Sequence, residues 1–148
     1  MSTYTQIYYH LVFSTKGREP VLLKERREAL YRFIWGIVKN LHGHLYRVGG
    51  TEDHLHIFSD LHPSVRLADY VKTIKLGSAD WIRKERVFPR FGHWQEGYGA
   101  FTLGPDGKDA LIEYIKDQEA HHRTHSFLDE YRKFLTVAGV EFEESYLQ

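Results

Sequence analysis

Two histidines one residue apart, His54 and His56, lie inside the strand-like run Asp53-His54-Leu55-His56-Ile57-Phe58. In a β-strand, residues i and i+2 share a face, so the two imidazoles stand side by side while Leu55 and Ile57 enter the core-facing layer. Two imidazoles on a rigid strand are half of a metal site. Taken alone, a solvated or hydrogen-bonded histidine pair fits the same residues equally well. A second group supplies what the pair lacks. The stretch from Glu113 to His122 reads as helix, and Tyr114 and Gln118 share one of its faces, with His121 and His122 continuing near it. A tyrosine beside a neutral amide suits phosphodiester transfer. The phenol attacks phosphorus, and a divalent metal held by His54, His56 and Gln118 polarises the phosphate and stabilises the leaving 3′-oxygen. A phenol with an ordinary pKa near about 10 needs such help at neutral pH.

The elements that must position these groups follow from pattern. Residues 4–15 are β-branched and aromatic and read as a first strand. After Pro20, residues 22–41 read as a helix, with Leu23, Leu30, Phe33, Ile34, Ile37, Val38 and Leu41 at helical spacing. Gly43 ends it, residues 44–48 form a short strand, Gly49-Gly50 supplies a turn, and residues 54–59 form the histidine strand. Pro63-Ser64 opens a second helix, whose buried stripe is Val65, Ala68, Val71, Ile74, Ala79 and Ile82. Residues 98–103 are a fourth strand, and helices are expected over residues 108–123 and 126–137. This β-α-β-β-α-β order predicts an α+β, ferredoxin-like antiparallel sheet with helices on one face, plus C-terminal helices carrying the tyrosine. The histidine strand is then central. One domain is expected over residues 1–148, its sheet core at about 4–103 and the tyrosine and C-terminal helices at about 105–148.

Composition narrows the class. At 148 residues the chain is long enough for a hydrophobic core without staples, and it contains no cysteine, which excludes disulfides and thiolate zinc sites. Twenty acidic and twenty basic residues give zero formal charge, so bulk charge does not advertise nucleic acid, and binding would depend on a local patch. No signal-like or membrane-spanning run is present, and a cytoplasmic location is expected.

The motif set resembles the HUH endonucleases with a single catalytic tyrosine, and among them the small single-strand DNA transposases of insertion sequences and their domesticated, repeat-associated relatives. The resemblance rests on Tyr9 to Thr15, Val48 to His56, Val71 to Lys75, Trp94 to Phe101, Tyr114 to Gln118, and His121-His122 with Ser126-Phe127, in order along most of the chain. It implies Tyr114 as nucleophile, His54, His56 and Gln118 as ligands, and Mg²⁺ or Mn²⁺ as the metal. It further implies a homodimer joined sheet edge to edge, with the tyrosine helix completing either its own or the partner's site. The implied substrate is hairpin-bearing single-stranded DNA, cleaved to a 5′-phosphotyrosine and a free 3′-hydroxyl without a nucleotide cofactor.

Lys72, Lys75, Arg83, Lys84 and Arg86, with His121 and His122, are candidate DNA contacts; a solvated helix face explains the lysines and arginines equally well. Asp53 is either an orienting partner of a histidine or a turn residue. His42 and His44 flank a helix end and read as surface residues. Two competing functions remain. One is a non-catalytic single-stranded nucleic-acid-binding module, with Tyr8-Tyr9 as a stacking motif; the other is a replication initiator of the same chemistry.

Overall fold

The computed structural model describes residues 1–147. Its elements run β1 (Tyr8–Ser14), α1 (Lys24–Asn40), β2 (Leu45–Gly50), β3 (His54–Asp60), α2 (Leu67–Lys84) and β4 (Gly99–Leu103). Three further helices follow: α3 (Lys108–Lys116), α4 (Gln118–His121) and α5 (Phe127–Val137). The four strands form one antiparallel sheet in the order β2-β3-β1-β4, which is the expected ferredoxin-like topology with the histidine strand inside.

Alternation along β1 and β3 gives the sheet two different faces. Leu11 and Phe13 of β1 and Leu55 and Ile57 of β3 meet α1 and α2, where Leu30, Ile34, Val38, Val71, Ile74 and Ile82 complete the main core. Each such aliphatic side chain contributes about 1.5–3 kcal/mol on burial, as an upper bound. Phe33 of α1 stacks on Trp81 of α2 with ring centroids 4.6 Å apart, which ties the two helices together. Against the opposite face, Tyr8 and Phe58 pack on Ile115 of α3, with Leu111 and Ile112 alongside. α1 and α2 therefore share one face as expected, and the C-terminal helices close over the other. That closure leaves His54 and His56 fully buried.

Several boundaries differ from the sequence expectation for physical reasons. β1 begins at Tyr8 because its partners end there, Tyr8 pairing with Asp60 on one side and Leu103 on the other; Tyr4 is exposed. The chain at Pro63-Ser64 forms a turn in which His62 Nδ1 accepts from the Ser64 N–H at 3.1 Å, so α2 starts only at Leu67. Gly49 and Gly50 are not a turn. They lie in β2 opposite His56 and Leu55, and the reversal is made by residues 51–53, where the Thr51 N–H donates to the His54 carbonyl. The expected helix over residues 108–123 breaks at Asp117, whose φ/ψ of −95°/18° separates α3 from α4. No helix among the described residues is long and apolar enough to cross a membrane.

Candidate active site

Each strand histidine is held from behind, so that its other nitrogen is aimed at one point. His54 Nδ1 lies 2.7 Å from Asp53 Oδ1 and 3.0 Å from Thr51 Oγ1, and the Thr51 hydroxyl donates to the same Asp53 oxygen. A carboxylate on Nδ1 selects the tautomer protonated there, leaving the Nε2 lone pair for the site. Asp53 is therefore an orienting partner as well as a turn residue. His56 Nδ1 is backed by His10 Nε2 at 2.8 Å, with the two rings stacked. The Nε2 atoms then meet two oxygens: His54 Nε2 is 3.0 Å from Gln118 Oε1 and 3.6 Å from Glu130 Oε1, and His56 Nε2 is 2.9 Å from Glu130 Oε1.

The helices arrive because small residues let them. A Cβ on Gly49 would sit 2.8 Å from the Ile115 carbonyl, so only glycine allows the tyrosine helix to lie this close to β2. A Cβ on Gly99 would come 2.7 Å from the Tyr131 ring, so β4 makes the same concession to α5. The α5 helix is capped by Ser126 Oγ, which accepts from the Asp129 N–H at 3.2 Å. On its inner face Phe127 packs on His54, and Phe134 packs on His10, His56 and Tyr114. Glu130 stands between these aromatics and is buried. The Tyr114 hydroxyl donates a short hydrogen bond to Glu130 Oε2, and His122 Nε2 lies 3.1 Å and His121 Nε2 3.2 Å from the same oxygen. Gln118 Nε2 donates to the Tyr114 carbonyl at 3.3 Å, which turns its Oε1 toward His54.

Electrostatics follow from burial and from Glu130. Burial pulls the His10 imidazole down to about 3 and that of His56 to about 4, so both rings are neutral at neutral pH, the state in which an imidazole can hold a metal. Burial alone would raise the Glu130 carboxyl, but hydrogen bonds from His122 and His56 outweigh it and hold the group below its ordinary range. His122 shows the reverse balance: burial disfavours its charge, and Glu130 more than restores it. Burial, then the hydrogen bond and charge of Glu130, pushes the Tyr114 phenol above its ordinary value. At rest the phenol is held as a donor, not a phenolate.

The donor set fits a divalent ion. With metal–ligand bonds of about 2.1 Å, neighbouring ligands sit about 3.0 Å apart in an octahedron and about 3.4 Å in a tetrahedron. The separations of 2.9, 3.0 and 3.6 Å among the His54, His56, Gln118 and Glu130 atoms match those edges. One atom each of His54, His56, His122 and Glu130 lies within 4.8 Å of the others. Mixed imidazole nitrogen and oxygen donors suit ions such as Mn²⁺ better than soft metals.

Of the residues singled out from sequence, the structure brings His54, His56, Tyr114, Gln118, His121 and His122 into one cluster. It does not bring the basic residues of the α2 region there. Lys72 is exposed, and α2 packs on the opposite face of the sheet. Lys75 Nζ donates to the Gln95 and Gly97 carbonyls at 2.7 and 2.8 Å, Arg83 to the Gly92 carbonyl at 2.8 Å, and Lys84 pairs with Asp80. Arg86 sits just past the helix at φ 51°. His42 and His44 are exposed, as expected, and pack on His62 and Tyr46 respectively. Sequence reasoning missed Glu130 and His10. The signal for Glu130 was present: it falls three after Phe127 and four before Phe134, on the apolar stripe of its helix. A carboxylate on such a stripe needs a buried partner.

A family model described as "Transposase IS200 like" matches residues 3–118, ending at Gln118 and leaving His122, Glu130 and α5 outside the match. The ISDra2 transposase TnpA of Deinococcus radiodurans is 24% identical over an alignment 120 positions long, which covers 76% of this chain and 84% of that one. Two solved structures share the fold, each with a TM-score of 0.62. One is a candidate transposase of Deinococcus radiodurans R1, 24% identical, aligned over 80% of this chain and 95% of its own. The other is a REP-associated tyrosine transposase bound to a REP hairpin, 14% identical, aligned over 82% and 74%.

Proposed function

From the premise that this chain belongs to the IS200-like transposase family, we propose that it cleaves and rejoins single-stranded DNA beside hairpins through a covalent bond to Tyr114. Supporting this is one observation above the rest: a tyrosine hydroxyl and the Nε2 atom of a strand histidine meet at the two oxygens of one buried carboxylate. Tyr114 oxygen attacks the phosphorus, the bond from phosphorus to the 3′-oxygen breaks, and the phenolic proton ends on the released 3′-hydroxyl. The 5′-phosphotyrosine retains a phosphodiester bond, so the step reverses when another 3′-hydroxyl attacks.

His54, His56 and Gln118 are the proposed metal ligands, and a bound Mg²⁺ or Mn²⁺ would polarise the phosphate and stabilise the leaving oxygen. The chain's own residues do the remaining work. Asp53 and His10 fix the two imidazoles, and Gly49 lets α3 bring Tyr114 against the sheet. Phe134 and His56 pack edge-on to the phenol ring and limit its rotation. β2 and β4 end the sheet, an arrangement that edge-to-edge pairing of two copies requires. The hairpin bound by the REP-associated relative supports the substrate class. We take residues 1–148 as a single working unit.

The test is denaturing electrophoresis after mixing the protein with labelled single-stranded hairpins from the DNA flanking its own gene, with and without Mg²⁺ or Mn²⁺. A metal-dependent shifted band, absent in Tyr114→Phe while hairpin binding persists, is the expected result. A band that survives Tyr114→Phe, or one that ignores the metal, sinks the proposal.

A further inference from the structure

We infer that Glu130 is itself a metal ligand, so that the C-terminal helix α5 delivers a carboxylate to the ion held by the strand histidines. This deepens the reading just given and rests on it, because it presumes that the histidine pair binds a metal at all.

Three observations carry the assignment. Geometry is the first: Glu130 Oε1 lies 2.9 Å from His56 Nε2 and 3.6 Å from His54 Nε2, the spacing of neighbouring ligands around one ion. Gln118 Oε1, at 3.0 Å from His54 Nε2, occupies a comparable place. Charge is the second. His54, His56 and Gln118 are neutral donors, and a buried dication among neutral donors lacks compensation. Among the described residues, Glu130 is the carboxylate that reaches the Nε2 atoms of both histidines, since Asp53 lies behind His54 on Nδ1. Construction is the third. Glu130 is buried at 4% exposure on a helix whose cap, Ser126, and flanking aromatics, Phe127 and Phe134, fix its position. His122 secures the other oxygen, Oε2, at 3.1 Å, so the carboxylate cannot swing away freely.

The histidine-pair-plus-glutamine ligand set lies inside residues 3–118, the part shared with the family model, and Glu130 lies outside it. A Glu130 ligand therefore makes the ion a clasp between the sheet and a segment beyond the family match. It also gives the Tyr114 hydroxyl, bonded to Oε2, a one-carboxylate connection to the ion.

The experiment is Mn²⁺ titration of chelator-treated protein, read by the electron paramagnetic resonance signal of free Mn²⁺, with no DNA and no turnover. Wild type should bind one ion, and His56→Ala should bind none. Glu130→Gln, which keeps the shape and removes the charge, should bind at least about tenfold more weakly, and Mn²⁺ should raise its melting temperature much less than that of wild type. Glu130→Asp keeps the charge, and partial recovery of affinity there supports the assignment even if the glutamine variant folds poorly. Equal or tighter binding by folded Glu130→Gln, with His56→Ala still inactive for Mn²⁺, overturns the Glu130 assignment and leaves the histidine site standing. Failure of wild type to bind Mn²⁺ overturns the metal reading itself.

Discussion

The two faces of the central strands are built from adjacent residues and held by opposite physics. On one face Leu11, Phe13, Leu55 and Ile57 meet α1 and α2 in an apolar core. On the other, His10, His54 and His56 meet Gln118 and Glu130, equally buried, and the half-buried Tyr114 in a network of polar contacts. The apolar face stabilises through area and tolerates a lost methylene at a graded cost. The polar face must be complete, because one missing partner leaves a buried group unsatisfied. Among the described residues no buried side-chain nitrogen or oxygen lacks a partner, so the requirement is met. Stability resides on one face and chemistry on the other, and period two lets one strand serve both without compromise.

The largest effect should come from the polar face and appear in activity alone. Tyr114→Phe removes the nucleophile, and adduct formation should fall by more than about 10³-fold. Folding stability should change by no more than about 1 kcal/mol, because Glu130 keeps His56 and His122 as partners. Denaturant unfolding beside the gel assay checks both halves. The mirror change is Ile57→Ala. It should cost about 2–5 kcal/mol of stability and leave Mn²⁺ affinity of the folded fraction unaltered. A variant that lost metal affinity through Ile57 would show that the two faces are energetically coupled.

How legible each face was in the sequence differs for the same reason. The alternation His54-Leu55-His56-Ile57 assigned both faces from periodicity, and the strand and helix order assigned the sheet topology. Tyr114 and Gln118 at i and i+4 also came together, although α3 and α4 are separate helices. Beyond the joining of the histidine pair to Tyr114 and Gln118, contacts between segments far apart in the chain were not legible. Gly49 reads as a turn residue, and only the position of Ile115 shows that it serves a close approach instead. His10 meets His56 because β1 and β3 pair in a register that local pattern does not specify. The basic residues of α2 read as DNA contacts or as a solvated helix face, yet which sheet face they serve depends on the fold around them. Glu130 was overlooked because an acidic residue near a helix start usually favours the helix dipole and solvent.

A smaller effect separates the faces by pH. In metal-free protein the His10 and His56 rings have folded pKa values lowered to about 3 and about 4 from 6.5, chiefly by burial. A lowered histidine pKa means that the unfolded chain binds protons more readily. The stabilisation is therefore full above the ordinary value and is lost as pH falls from there toward the folded values. Glu130, also lowered, loses its contribution in the same direction at still lower pH. Unfolding free energy should drop by roughly 2 kcal/mol between about pH 7 and about pH 5, counting the two linked histidines once. Ile57→Ala should shift the whole curve downward and keep that slope. A flat profile in wild type would mean that these rings are not buried neutral.

The finest distinction lies in a single side chain that touches both kinds of surroundings. His10 donates to or accepts from His56 Nδ1, yet its ring is flanked by Phe101 and Phe134 at centroid distances of 6.0 and 5.1 Å. His10→Phe therefore asks whether the site needs the hydrogen bond or only the shape. The aromatic neighbours should accommodate a phenyl ring, so stability should change by no more than about 1 kcal/mol. His56 Nδ1 would lose the partner that fixes its ring and tautomer, and Mn²⁺ affinity should fall by about 10- to 100-fold. His10→Gln, which keeps a hydrogen-bonding end, should recover part of that loss. If His10→Phe binds Mn²⁺ as wild type does, packing by Phe134 alone orients His56. The polar face would then need its inner ring of donors but not the groups behind them.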